Sequence, residues 1–378
     1  MNTHSIATIN RAIEALGRDG APGTLSIDLD ALRENYRYLC ARTAPVPVAT
    51  VVKANAYGLD VARVAPVLRN AGCRDFFVAH VAEAHRLRQF VDGARIFVLN
   101  GLQPGAEEGC ADAGIVPVLN SLEQARNWAQ TAAMRGHSLP AVLQVDTGMS
   151  RLGLPPEEAS ALAADDALRD RLDLLFLMSH LASGDASGDV QNSDQLAAMR
   201  QASALFPGLP LCFANSGGVF LGVDFHGALA RSGIALYGGM PTDAIDNPMK
   251  PVVRLDVRVI QTRTVPAGTR VGYGGAHVTT EETRLATIAA GYADGLPRSL
   301  GHRGAAYFDG VRLPIVGRVS MDSVTLDIGA LPAGTLKLGS LVELIGPHQT
   351  LEAIAADAGT ISYEILTSLG DRYHRDYR

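Results

Sequence analysis

The sequence predicts an α/β protein made of an N-terminal (β/α)8 barrel followed by a mainly antiparallel β domain. Three observations carry that expectation. Between residues 48 and 240, short runs rich in Val, Ile, Leu and Phe alternate with helical stretches. Each run ends on a residue that can make polar contacts. After residue 250 the pattern changes to alternating strands separated by tight turns.

The runs are Ala49–Lys53, Phe76–His80, Ile96–Asn100, Ile115–Asn120, Ala141–Asp146, Leu174–His180, Leu211–Asn215 and Ile234–Tyr237. Short apolar runs bounded by turns fit parallel strands buried on both faces. Parallel neighbours need crossover connections, and eight strand–helix units suffice to close a barrel. A doubly wound sheet is the competing arrangement. The terminal residues Lys53, His80, Asn100, Asn120, Asp146, His180, Asn215 and Tyr237 favour the barrel, because the carboxyl ends of barrel strands form the active-site face. Taken one at a time, each could simply punctuate a strand as it enters a loop.

Helix starts are expected at Asp112, at Ser121 and at Pro155–Glu158, where capping residues, prolines and acidic first turns precede apolar periodicity. Gly184–Asp189 reads as a flexible loop near the active-site face. The PAGT segments at 266–269 and 332–335 each separate β-like runs, as turns do in a compact antiparallel domain. We expect an N-terminal extension over residues 1–24, a barrel over 25–247, and a β domain over 248–378. A strand at 25–32 (LSIDLDAL) precedes the barrel runs and is expected to pair with the β domain.

Composition narrows the function. The 33 basic and 39 acidic residues give a formal charge of -6, without a dense Lys/Arg stripe that would track a phosphate backbone. No nucleic-acid partner is expected. Cys40, Cys73, Cys110 and Cys212 lack the close pairing of a metal or redox motif and read as free thiols in a reducing compartment. The first twenty residues do not read as a secretory signal, and no apolar stretch is long enough to span a bilayer. A cytoplasmic protein without metal or membrane partners is expected.

The chemistry centres on VVKANAYG at 51–58. A lysine at the end of a buried strand is desolvated, which lowers its pKa toward the neutral amine that can bond to an aldehyde. By itself such a lysine could equally snorkel into water. The full octapeptide resembles the cofactor-lysine motif of the alanine racemases, and the resemblance continues through nearly the whole chain after residue 24. It implies a fold type III enzyme in which Lys53 holds pyridoxal phosphate covalently and Tyr57 contacts the phosphate.

Further segments carry the same resemblance. DTGMSRLG at 146–153 implies that Arg151 lies beside the cofactor ring and the substrate carboxylate, where its planar fork of donors suits two oxygens. His180, ending LLFLMSH, is implied to pack against the pyridine ring. ANSGG at 214–218 and RSGIALYG at 231–238 are similar to phosphate-binding stretches, implying cofactor contacts from Asn215, Ser216, Gly233 and Ile234; small residues let backbone N–H groups approach a dianion. Arg231 is implied to meet the pyridine nitrogen. An arginine keeps its proton at ordinary pH, so it donates a hydrogen bond without protonating the ring and leaves a weaker electron sink. That discourages transamination and decarboxylation.

Racemisation needs a base on one face of the α-carbon and an acid on the other. Lys53 serves one face. VGYG at 271–274 resembles the segment with the family's second catalytic residue, which makes Tyr273 the implied partner. In that family this tyrosine comes from the neighbouring subunit, so a homodimer with composite sites is implied. GYADG at 291–295 and GRVSMDSV at 317–324 imply that Tyr292, Met321 and Asp322 line the entrance and the substrate carboxylate pocket from the second domain of the neighbouring subunit. ISYE at 361–364 implies that Tyr363 binds phosphate and narrows the channel, favouring small amino acids. The implied activity is interconversion of L- and D-alanine, supplying D-alanine as a peptidoglycan precursor, although the sequence leaves a catabolic role equally open.

One departure stands out. Many family members carry a carbamylated lysine two residues before the aspartate of DTGM, and this chain has Gln144 there. Its amide, with or without a bound anion, is expected to orient Arg151. The alternatives are a broad-specificity or serine racemase, a decarboxylase, and a non-catalytic cofactor-binding protein. Barrel decarboxylases bring a cysteine from the second domain, whereas all four cysteines here precede residue 213. A non-catalytic binder would lack the β domain.

Overall fold

The computed structural model describes residues 20–378, so most of the expected N-terminal extension, residues 1–19, lies outside the described residues. The chain divides into two compact units: Ala31–Lys250, and the residues up to Asp30 together with Pro251–Arg378. The first strand, β1 (Gly23–Ile27), belongs to the latter. The strand expected at 25–32 stops at Ile27, and Leu29–Thr43 is a helix. Leu25–Leu32 reads as alternating, but Leu32, Tyr36 and Leu39 recur at helical spacing and are the side chains that become buried.

The Ala31–Lys250 unit holds β2 (Val48–Val51), β3 (Asp75–Val78), β4 (Arg95–Val98), β5 (Val116–Leu119), β6 (Leu139–Gln144), β7 (Leu172–Met178), β8 (Leu211–Cys212) and β9 (Ala230–Ser232). They form one parallel sheet in the order β8-β7-β6-β5-β4-β3-β2-β9. The last seam is carried by the Ala228 N–H on the Leu211 carbonyl at 2.7 Å and the Arg231 N–H on the Ala214 carbonyl at 2.8 Å, so the sheet is a near-closed barrel. Branched and aromatic side chains fill it, with Phe77 and Phe97 stacked at 4.5 Å.

The eighth strand differs from the expectation. Ile234–Tyr237 is a 3-10 helix, and the barrel closes instead through Ala230–Ser232, three residues long and containing Arg231. A four-residue apolar run does not distinguish a buried strand from a buried helical turn. Gly238, at φ 88°, ends this turn, and the buried Tyr237 hydroxyl donates to the Val51 carbonyl at 3.0 Å. Tyr237 is therefore a core residue.

Ser121 caps the helix Leu122–Arg135 by accepting the Gln124 N–H, and Pro156 opens the helix Pro156–Ala164. Asp112 ends a helix rather than starting one: Glu107–Asp112 has its two glutamates in the first turn, where the positive end of the helix favours them. The 184–189 segment, expected to be flexible, is tied down. The Ser187 N–H donates to Asp243 at 2.8 Å, the Asp243 N–H donates to the Asp185 carbonyl at 2.9 Å, and Asn192 donates to the carbonyls of Ser183 and Ala186.

The other unit contains β10 (Val253–Val265), β11 (Arg270–Val271), β12 (His277–Val278), β13 (Thr283–Ile288), β14 (Ala305–Phe308), β15 (Val311–Pro314), β16 (Val324–Asp327), β17 (Leu341–Ile345) and β18 (His374–Tyr377). Its main sheet runs β15-β14-β17-β10-β1-β18, with β13 joining β10 to β16. Pairing is antiparallel except between β1 and β18. The two PAGT turns fold alike: Thr269 and Thr335 each donate a hydroxyl to the carbonyl of the proline three residues before, at 2.8 Å. Among the described residues no helix is long and apolar enough to cross a membrane.

Candidate active site

Lys53 lies two residues past Val51, the carboxyl end of β2, with Val52 between. The chain after it makes a left-handed turn through Ala54, Asn55, Ala56 and Tyr57, all between φ 53° and 57°. A non-glycine residue in this region costs on the order of 1–2 kcal/mol, so the turn needs holding. The Glu83 carboxylate accepts the N–H groups of Ala54, Ala79 and His80 at 2.6, 2.8 and 3.2 Å. Asn55 Oδ1 accepts the Val61 N–H at 3.0 Å, and Tyr57 stacks on Tyr237 at 4.6 Å. Burial, seconded by the Arg151 charge, holds the Lys53 amine below its ordinary pKa, while Glu83 acts in the opposite sense.

The next element is a cradle of small residues. Ser216 Oγ accepts the Gly233 N–H at 2.9 Å and the Ala235 N–H at 3.4 Å, and lies 3.2 Å from Ser232 Oγ. A Cβ on Gly233 would sit 2.3 Å from the Tyr57 hydroxyl, and one on Gly217 would sit 2.2 Å from the Gly184 carbonyl oxygen. Only glycine lets the backbone come this close. Two hydroxyls, from Tyr57 and Ser216, thus meet the first amides of the 234–237 turn in a space that a methyl group would fill. This donor set fits a phosphate dianion. The Asn215 side chain is spent on the loop itself, donating to the Leu181 carbonyl and accepting the Gly218 N–H.

His180 and Arg231 lie side by side, with Arg231 Nη2 and His180 Nδ1 3.5 Å apart. Arg231 is 3% exposed, and its terminal nitrogens donate to the carbonyls of Cys212 and Ser179, each at 2.6 Å. Burial, then the charges of Arg231, Arg151 and Lys53, push His180 down to about 3 and keep its ring neutral. Arg151 is exposed, on a loop shaped by Asp146, whose Oδ1 accepts the N–H groups of Gly148, Met149 and Ser150. Gln144 Nε2 donates to the Leu152 carbonyl at 3.2 Å. Its amide thus holds the backbone beside Arg151 and not the guanidinium, since a short amide in the strand reaches the adjacent loop carbonyl.

Tyr273, Tyr292, Met321, Asp322 and Tyr363 belong to the β unit. Tyr273 is 67% exposed, in a turn between two positive-φ glycines, Gly272 and Gly274. The Tyr292 and Ala293 N–H groups donate to the carbonyls of Ser320 and Met321 at 3.0 Å, and a Cβ on Gly291 would collide with those same carbonyls at 2.3 Å. Arg372 ties the two segments together, with two bonds to the buried Asp294 at 2.6 and 2.7 Å and one to Asp322 at 2.7 Å. Tyr363 lies in the helix Ser362–Ser368 with its side chain partly exposed.

Two family models match the chain: the alanine racemase N-terminal domain over residues 27–241 and the alanine racemase C-terminal domain over residues 252–377. The chain belongs to the alanine racemase family. A relative from Rhizobium johnstonii named "Alanine racemase, catabolic" is 63% identical over 373 residues, covering 98% of each chain. An alanine racemase of Brucella canis is 56% identical, with 94% of each chain covered. Among solved structures, the Bartonella henselae alanine racemase with covalently bound pyridoxal phosphate superposes with a TM-score of 0.92 at 44% identity, covering 95% of this chain and 100% of that one.

Several residues of this alanine racemase family member that hold the site together escape a reading by motif. Gln195, fully buried in the helix Val190–Leu205, donates to Thr147 Oγ1 at 3.1 Å and to the His180 carbonyl at 2.9 Å, and accepts the Ala182 N–H at 2.8 Å. Ser179 joins the same network through Thr147 and the Val145 carbonyl. A glutamine within the polar stretch QNSDQ carries no signal of burial. Glu83 does carry one: a glutamate at the third position of a helix marks a capping interaction.

Proposed function

We propose that this protein interconverts L-alanine and D-alanine using pyridoxal phosphate held covalently on Lys53, with Lys53 and Tyr273 exchanging the α-proton on opposite faces. The observation that carries this reading is the Lys53 amine, desolvated at the end of β2 in the company of Arg151 and His180, with the Tyr57–Ser216–Gly233 cradle in the same barrel. The identity of this chain to relatives named alanine racemase supports the substrate.

When bound, pyridoxal phosphate supplies the electron sink that acidifies the α-hydrogen of an amino acid. The Tyr57 and Ser216 hydroxyls and the Ile234 amide would hold its phosphate, Gly233 would line the cradle with its own amide on Ser216, and Asn215 shapes their loop. Arg231, locked by two carbonyls, would offer the ring nitrogen a hydrogen bond without surrendering a proton. His180, neutral, would line the ring without adding charge. Arg151 takes the substrate carboxylate, Tyr292, Met321 and Asp322 from a second copy of the chain bound the pocket, and Tyr363 keeps its channel narrow. Lys53, its proton affinity lowered, removes or returns the proton on its face, and Tyr273 does so on the other.

In this reading Tyr273 comes from a second copy of the chain, so the active form is a homodimer in the cytoplasm. Relatives at 63% and 62% identity are named catabolic, which supports D-alanine breakdown over peptidoglycan supply as the physiological direction. Incubating the purified protein with each enantiomer of alanine, serine and larger amino acids, and following optical rotation, tests the assignment. Racemisation of alanine from both sides is expected, and its absence would end the proposal. Sedimentation equilibrium at twice the chain mass is the expected companion result.

A further inference from the structure

We propose that Glu83 is a positioning residue for Lys53, its carboxylate pinning the left-handed turn that aims the amine and at the same time giving that amine its anionic neighbour. The claim deepens the function proposed above and rests on Lys53 being the reactive amine.

The geometry is specific. One carboxylate, from the helix Val81–Arg88, reaches three backbone N–H groups in two strand-end segments: Ala54, directly after Lys53, and Ala79 and His80, directly after β3. Four successive non-glycine residues in the left-handed region follow Lys53, and no side chain of Ala54 or Ala56 can hold them. Asn55 and Tyr57 anchor the later part of the turn, and the grip on its first amide, that of Ala54, comes from outside it. Glu83 also borders a cavity of about 120 Å3 with Val52, Asn55, Val61, Val78 and Arg86.

The charged groups that act on Lys53 come from two elements: Arg151 from the loop after β6 and Glu83 from its helix. Arg86, on the cavity wall, is paired with Asp60 at 3.4 Å. Burial and Arg151 favour the neutral amine, and Glu83 alone of these favours the ammonium. Removing its charge lowers the proton affinity of Lys53.

The test needs neither cofactor nor amino acid. The full-length chain, prepared without pyridoxal phosphate, is pulsed with labelled acetic anhydride across pH, and acetylation of Lys53 is read by peptide mass spectrometry. In Glu83→Gln the labelling midpoint should fall by about one pH unit, and amide deuterium exchange at Ala54 should quicken. An unmoved midpoint overturns the proposal even if exchange quickens, because a merely structural residue would do that. Glu83→Asp, which keeps the charge on a shorter arm, covers the case in which the glutamine variant does not fold. Its midpoint should stay at the wild-type value while exchange at Ala54 quickens, and a falling midpoint overturns the idea. A protein that shows these shifts yet racemises nothing would remove the proposed function and leave this inference intact.

Discussion

Gln195 donates its amide to the carbonyl of His180 at 2.9 Å, from a helix fifteen residues further along the chain. The same amide holds Thr147, so one fully buried side chain fixes both the end of β7 and the loop that carries Arg151. Replacing it with leucine keeps the volume and leaves the Ala182 N–H and the His180 carbonyl without their partner. Buried polar groups left unpaired cost roughly 1–3 kcal/mol each, so Gln195→Leu should lower unfolding stability by about 2–3 kcal/mol in urea titration. A change under about half a kcal/mol would show that water replaces the glutamine.

Lys53→Ala should abolish the visible absorption band of lysine-linked pyridoxal phosphate, because the proposed covalent anchor is gone. Borohydride reduction and peptide mapping of the wild type should tag Lys53. A band that survives the substitution, or a tag on another residue, would place the anchor elsewhere.

Tyr273→Phe removes a phenolic proton and little else, since the side chain is largely exposed. General acid–base groups contribute typically 10²–10⁴-fold. Exchange of the α-hydrogen with deuterated solvent should slow by roughly 10²-fold or more from one enantiomer, much less from the other, with cofactor still bound. Undiminished exchange from both would strip Tyr273 of its role.

His180 predicts an acid sensitivity with a defined sign. Its ordinary value of 6.5 is pushed to about 3 in the folded chain. Between those values the unfolded chain binds a proton that the folded chain refuses, so this site's contribution to stability is lost as pH falls through the window. His180→Gln removes that loss. The urea midpoint of the variant should decline less steeply than wild type from pH 6.5 to pH 4, and parallel slopes would contradict the placement.

Sequence alone determined the alternation of strand and helix, the change of grammar near residue 250 and the motif residues, because burial on both faces of a parallel strand writes itself into runs of Val, Ile, Leu and Phe. Local pattern also identified Ser121 as a cap and both PAGT turns, where the signal and its physical cause lie within four residues. Tertiary structure decided the rest. The eighth strand fell on Ala230–Ser232 and not on the more apolar Ile234–Tyr237, because barrel closure selects the segment whose backbone reaches Ala214 and Leu211. Gln144 met the Leu152 carbonyl, and Glu83, beyond the local cap its spacing announced, met the Ala54 amide from another strand end, for the same reason. A hydrogen-bond partner is set by which backbones the fold brings within 3 Å, and no spacing along the chain encodes that.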